Sequence, residues 1–168
     1  GNMFSTVPFY QKAQKAGINP IIGCETYVAV ESRHNKKPQA GGGWGNNHLI
    51  LLVQNQIGYK NLMKLVTAGY LEGFYYRPRI DMELLKEHSD GLVCLSGCLK
   101  GEIPEKMLNG DYEGARDAAL RFSEIFSDRF YLEVQNHGIP EEEANIENMK
   151  KLAHDLSLPI VCTNDAHY

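Results

Sequence analysis

Apolar and polar residues alternate along the chain in segments that favour helices and strands in turn. Apolar side chains recur every three or four positions, as in a helix, in "MFSTVPFYQKAQKAG", "IGYKNLMKLVTAGYLEG", "IDMELLKEHS", "YEGARDAALRFSEIF" and "EEEANIENMKKLAHDLS". Short apolar runs indicate strands at "NPIIGCETYVAV", "HLILLVQ", "GLVCLSG", "RFYLEVQ" and "LPIVCTND". This alternation predicts an α/β protein with helical crossovers, either a barrel or an open doubly wound sheet.

Polar residues follow several of these strands. In both architectures the functional site lies beyond the carboxyl ends of the strands. At those ends we expect Glu25, Cys98, residues 135–137 and residues 165–167. The last strand, predicted to be buried from Leu158 to Thr163, is followed by Asp165 and His167, which share one face about 6.6 Å apart at Cα. That spacing lets a carboxylate and an imidazole converge on one cation or phosphate.

His48 is the exception, because it opens its strand instead of following it. Its strand is therefore predicted to run antiparallel to its neighbours, or the sheet is distorted. Carboxylate, imidazole and thiol donors together suit zinc or manganese better than calcium or magnesium. The candidate donors are Glu25, His48, Cys98, Asp165 and His167.

Composition limits the class of protein. The chain has 168 residues, of which 43% are hydrophobic and 23% charged, so one globular domain spanning 1–168 is expected. The net charge of −4 argues against nucleic-acid binding by bulk electrostatics. No stretch approaches the roughly 20 apolar residues of a membrane span, and the start lacks a signal-peptide pattern. We expect a cytoplasmic protein without membrane association. The four cysteines include no CxxC pair, which disfavours a zinc knuckle.

Six stretches, in order, resemble the PHP (polymerase and histidinol phosphatase) domain of bacterial DNA polymerase III alpha subunits: "GNMFSTVPFYQKAQKAGINPIIGCETYVA", "HLILLVQNQIGYKNLMKLV", "YLEGFYYRPRID", "GLVCLSGCLKGEI", "RFYLEVQNHGIP" and "LPIVCTNDAHY". The resemblance covers nearly the whole chain. It implies a distorted, TIM-like (β/α)7 barrel that holds up to three divalent metal ions (zinc, manganese or magnesium). On this basis the chain is a single PHP domain fragment without a polymerase's palm, fingers or thumb.

The resemblance also assigns metal ligands, one motif at a time. It places them at Glu25 in "GCE", His48 in "HLILL", Cys98 in "SGC", and Asp165 and His167 in "NDAHY". Asp165, His167 and His48 are the implied catalytic positions. Four of the family's nine ligands, an opening His-x-His and an Asp-His pair, have no counterpart in this sequence. We therefore expect a barrel incomplete at its N-terminus, a fragment that is inactive alone, and an exposed sheet edge prone to self-association.

Four further residues are candidates for supporting roles. Glu133 and His137, in "LEVQNHG", are predicted either to orient the ligands and donate protons or simply to make cap and core hydrogen bonds. Arg77 and Arg79 alternate with aromatic residues in "FYYRPR", a pattern typical of a path for single-stranded nucleic acid.

Three functions remain open. The first is a metal-dependent phosphoesterase, in a family able to act as a 3′-5′ exonuclease, within a DNA-directed DNA polymerase (a nucleotidyltransferase of DNA replication). The second is a degenerate scaffold that docks the separate proofreading exonuclease subunit. The third is a free-standing phosphatase of the histidinol-phosphate type. The first two imply DNA, the proofreading exonuclease and the sliding clamp as partners.

Overall fold

The computed structural model describes residues 1–37 and 46–166. The helices are α1 (Thr6–Lys15), α2 (Gln56–Leu71), α3 (Met82–Glu87), α4 (Glu102–Leu108), α5 (Tyr112–Phe126) and α6 (Pro140–Leu156), with a 3-10 turn at Ser127–Arg129. The strands are β1 (Gly23–Ala29), β2 (Asn46–Val53), β3 (Arg79–Ile80), β4 (Leu92–Leu95), β5 (Phe130–Val134) and β6 (Ile160–Cys162).

The strand order is β3-β1-β2 in one part of the molecule and β4-β5-β6 in the other. The described residues fall into two compact units, the first within Gly1–Asn46 and Ile50–Leu92 and the second within Asn47–Leu49 and Val93–Tyr168. Among the described residues, no helix combines the length and apolar character that a membrane span requires.

In the first unit, β1 pairs with β3 in parallel, with Tyr27 opposite Arg79. The start of β1 lies beside the end of β2, because the amide of Val53 donates to the carbonyl of Ile22 at 2.8 Å. This is the arrangement of an antiparallel pair and agrees with the first alternative for the strand of His48. Asn55 is the N-cap of α2, because its side chain accepts hydrogen bonds from the second and third helical amides.

In the second unit, β4, β5 and β6 are parallel, with Cys94 opposite Phe130 and Val134 opposite Cys162. Asp111 caps α5 by accepting from the amide of Gly114. The core is aromatic where α5 meets β5: the rings of Phe122 and Phe130 stack with centroids 5.6 Å apart, and both are buried.

The structure confirms the mixed α/β class, and its sheet with flanking helices is consistent with the incomplete barrel that the resemblance implies. The prediction that the last strand is buried is wrong. Ile160 of β6 is 40% exposed, and β5 is the one strand beside β6 in the described part of the chain. The sequence also predicts a glycine-rich loop at "ESRHNKKPQAGGGWGNN", and residues 38–45 of that stretch lie outside the described residues.

Candidate metal centre

His48 and Cys98 meet in the second unit, with Cys98 Sγ 3.6 Å from His48 Nδ1. Two backbone features hold them together. The amide of His48 donates to the carbonyl of Lys100 at 2.9 Å. Gly97 has a φ of +84°, and a Cβ there would lie 2.6 Å from the carbonyl oxygen of His48. Only glycine fits a left-handed turn this close to another backbone, so "SGC" is a geometric requirement of the pair.

Burial separates Cys98 from two of the other cysteines. It raises the pKa of Cys24 to about 11 and that of Cys94 well above its usual value. Both are therefore neutral thiols at physiological pH and serve as small apolar side chains. Cys98 is only partly buried and faces an imidazole, which are the surroundings of a thiol that can become a ligand.

Glu25 lies near the start of β1, which corrects the expectation that it follows the carboxyl end of a strand. The strand begins only at Gly23, so the apolar residues "PII" that suggested an earlier start precede it. Glu25 belongs to the first unit, whereas His48 and Cys98 belong to the second. All three are partly buried.

Asp165 follows β6 in the second unit and has a φ of +43°. Its side chain is exposed. His167 lies outside the described residues. The assignment of these five residues as metal ligands therefore remains a prediction.

Glu133, on β5, is 3% exposed and accepts hydrogen bonds on both carboxylate oxygens. Oε2 accepts from the amide of Gly97 at 3.0 Å, and Oε1 accepts from the hydroxyl of Thr163 at 2.5 Å and from Nε2 of Gln135 at 3.4 Å. The amide of Glu133 donates to Oγ of Ser96 at 2.8 Å. Burial raises the pKa of Glu133, while these hydrogen bonds act in the opposite direction.

His137 joins the start of α6 to the segment after β6. Its Nδ1 lies 2.8 Å from Glu142 Oε1, and its Nε2 lies 2.9 Å from the carbonyl oxygen of Asn164. Both partners are acceptors, so both ring nitrogens carry a proton in this arrangement. The hydrogen bond to Glu142 is the main reason why the pKa of His137 is raised, and it lowers the pKa of Glu142 in return.

The two arginines differ. Arg79 is 3% exposed, and its guanidinium donates to the carbonyl oxygens of Gly73, Arg33 and Asn35, which gives it a structural role in holding the 33–35 turn. Arg77 is exposed, with its guanidinium 5.8 Å from the ring centroid of Tyr27. A role in binding substrate remains a prediction for both.

Sequence reasoning missed several polar partners near Cys98. A small pocket in the second unit is lined by Gly97, Cys98, Leu99, Glu133, Gln135, Glu142 and Asn145. Asn145 is 4% exposed, and its Oδ1 has no hydrogen-bond partner among residues 1–37 and 46–166. Ser96 and Thr163 also went unnoticed, although each directly follows a strand, which was the signal available for finding them.

Comparison with known proteins gives consistent results. The PHP domain family matches residues 1–137. DNA polymerase III subunit alpha of Borreliella burgdorferi is 47% identical over the whole chain, which covers 15% of that relative. The subunits of Thermus aquaticus and Treponema pallidum are 47% and 44% identical over the whole chain, which covers 14% of each. The chain thus spans about one seventh of the length of these relatives.

Proposed function

Because this chain belongs to the PHP domain family, we propose that it is the metal-dependent phosphoesterase module of a bacterial DNA polymerase III alpha subunit. The observation that carries the proposal is the pair of His48 and Cys98, at the positions that the family's motifs assign to ligands. Relatives with that polymerase name align along the entire chain, which favours this function over a free-standing phosphatase.

The ligands in this proposal are Glu25, His48, Cys98, Asp165 and His167. Glu25, His48 and Cys98 offer a carboxylate, an imidazole and a thiol. Zinc and manganese bind all three kinds of donor, so these residue types fit a divalent ion. When bound, clustered divalent ions lower the pKa of a water molecule to about 7 and neutralise charge on the phosphodiester.

His48 and Cys98 share a proton in this scheme. In the tautomer that carries its hydrogen on Nε2, His48 accepts a hydrogen bond on Nδ1 from the thiol of Cys98, with the two atoms 3.6 Å apart. Loss of that proton frees both the sulfur and Nδ1 as electron-pair donors, so ligand binding by this pair releases a proton. His137, with a proton on each ring nitrogen, keeps the backbone next to Asp165 in place.

The substrate class in this proposal is a phosphodiester at the 3′ end of single-stranded DNA. The module acts in the cytoplasm as part of a replicase, beside the polymerase domains, the proofreading exonuclease and the sliding clamp. The net charge of −4 means that DNA is held by local contacts and by the metal ions rather than by a basic surface.

The test uses the full-length protein that carries this chain. We expect manganese-dependent release of nucleotides from the 3′ end of single-stranded DNA, abolished by a chelator. Cys98→Ala should lower the rate about tenfold or more, the range typical of disturbed metal sites. Cys162→Ala, which removes an exposed cysteine outside the ligand set, is the matched control and should leave the rate unchanged.

Two outcomes would redirect the assignment. Hydrolysis that persists with a chelator, or that is equal in Cys98→Ala and unsubstituted protein, would refute a metal centre at these residues. Metal binding that depends on Cys98 without any hydrolysis, together with tight binding of the proofreading exonuclease subunit, would support the scaffold function instead.

A further inference from the structure

We infer that Glu133 is the positioning residue that fixes two ligand-bearing segments of the second unit relative to each other: the turn carrying Cys98 and the segment carrying Asp165. This inference rests on the proposed function for the identity of the ligands. Its geometric part rests only on contacts within the second unit.

Glu133 makes two sets of hydrogen bonds, which we call arms. The first arm, made by Oε2 and the backbone amide of Glu133, reaches the turn after β4. Oε2 of Glu133 accepts from the amide of Gly97, the residue directly before Cys98. The amide of Glu133 itself donates to the hydroxyl of Ser96, one residue earlier. The turn is thus bound to β5 through both the backbone and the side chain of one residue. A charge-assisted bond to a buried carboxylate is roughly twice as strong as a neutral one, which makes this arm stiff.

The second arm, made by Oε1 of Glu133, reaches the segment after β6. Oε1 of Glu133 accepts from the hydroxyl of Thr163, two residues before Asp165. Gln135 reinforces this arm, because its Nε2 donates to Thr163 Oγ1 at 3.2 Å as well as to Glu133. Thr163 in turn donates its amide to the carbonyl of Val134 at 3.0 Å.

Glu133 is suited to positioning rather than to binding a metal itself. Three protein donors already converge on its two oxygens, and it is nearly fully buried on β5. A carboxylate accepts from all three donors at once. Glutamine has one acceptor oxygen and one NH₂ group, so in Glu133→Gln at least one of the three donors faces another donor.

The first experiment measures geometry without any metal, on the full-length protein that carries this chain, treated with a chelator. Amide hydrogen exchange is followed in peptides covering residues 96–100 and 160–166. In Glu133→Gln, we expect faster exchange in both peptides. In Thr163→Val, which removes only the hydroxyl arm, exchange should rise in 160–166 alone.

Two matched controls accompany these variants. Thr163→Ser keeps the hydroxyl and should restore the unsubstituted pattern. Glu147→Gln changes an exposed carboxylate on α6 that pairs with Lys150, and should alter neither peptide. If Glu133→Gln does not fold, Thr163→Val and Thr163→Ser decide the question. Unchanged exchange in 160–166 for folded Thr163→Val would overturn the inference.

The second experiment titrates cobalt(II) alone and follows the thiolate-to-cobalt absorption that reports on Cys98, with Cys98→Ala as the blank. We expect Glu133→Gln to weaken cobalt binding about 10–100-fold and to reduce that absorption. Thr163→Val should weaken cobalt binding while keeping the thiolate-to-cobalt absorption, because the hydrogen bond between Glu133 and the amide of Gly97 is intact in this variant. Cobalt binding and absorption unchanged in both variants would overturn the positioning role. Absence of any Cys98-dependent absorption in unsubstituted protein would refute the proposed function, while the exchange results would still decide the role of Glu133.

Discussion

His137 connects two parts of the second unit through its charge. Glu142 accepts from one ring nitrogen and the carbonyl of Asn164 from the other, so the contact requires the imidazolium form. The negative charges of Glu142 and Asp165 both act to raise the pKa of His137. A histidine whose pKa is higher in the folded state than in the unfolded state stabilises the fold. This contribution is fully present below the unfolded-state pKa of about 6.5 and is lost as pH rises through the folded-state pKa.

We therefore expect the free energy of unfolding to decrease as pH rises above about 6.5 and through the raised pKa of folded His137. The decrease should be smaller in His137→Gln, which has no charge to lose. Urea unfolding at a series of pH values measures this. His154→Gln changes an exposed histidine on α6 and should follow the unsubstituted profile. Parallel profiles for His137→Gln and the unsubstituted protein would contradict the proposed charge contact.

At this scale, the sequence was sufficient to nominate His48 and Cys98, because motif identity pointed to both and strand-end placement also pointed to Cys98. It could not show that Glu133 reaches both Gly97 and Thr163. Those contacts depend on which residues face each other across β4, β5 and β6, and one sequence does not contain that register. Asn145 was equally hidden, since a helical asparagine gives no sign of burial by itself.

Helix α2 approaches the chain before β4 so closely that only hydrogen fits at Gly58. A Cβ there would lie 1.8 Å from the carbonyl oxygen of Gly91. We expect Gly58→Ala to destabilise the fold by about 1–3 kcal/mol, the usual range for overpacking, because backbone must move to make room. Chemical denaturation gives the difference.

Gly69, on the same helix, provides the control for this prediction. A Cβ there would meet its nearest atom at 3.4 Å, an ordinary contact. Gly69→Ala should therefore be neutral or stabilising by about 0.5–1 kcal/mol, since alanine loses less conformational freedom in a helix. Equal effects at both positions would show that helix propensity, and not the contact with Gly91, governs this helix.

The sequence pattern predicted most of the helices and strands, but it missed β3 and α4. Helices α5 and α6 were expected from their apolar spacing and are present. Strand β3 has only two residues and helix α4 only seven, with a proline inside its first turn, so neither shows a measurable period. The burial of β6 was misjudged because an apolar strand looks the same at the edge and at the centre of a sheet.

Strand β6 gives the 168-residue chain a surface for self-association. It has β5 on one side, contains no charged residue, and exposes Ile160 and Cys162. Unpaired amides and carbonyls on an apolar edge form a template for another strand, and natural proteins usually protect such edges with charge or proline. We therefore expect the weight-average mass of this chain to rise with concentration, measured by light scattering under reducing conditions that prevent a disulfide at Cys162.

A lysine at the edge should abolish this association. Ile160→Lys places a charge on β6 and should keep the chain monomeric across the dilution series. Ile139→Lys is the matched control, because Ile139 is 43% exposed but lies outside the strands, just before α6; it should associate like the unsubstituted chain. If both lysine variants weaken the association equally, net charge rather than strand pairing governs the self-association. A strictly monomeric unsubstituted chain at micromolar concentrations would show that β6 does not recruit a second copy.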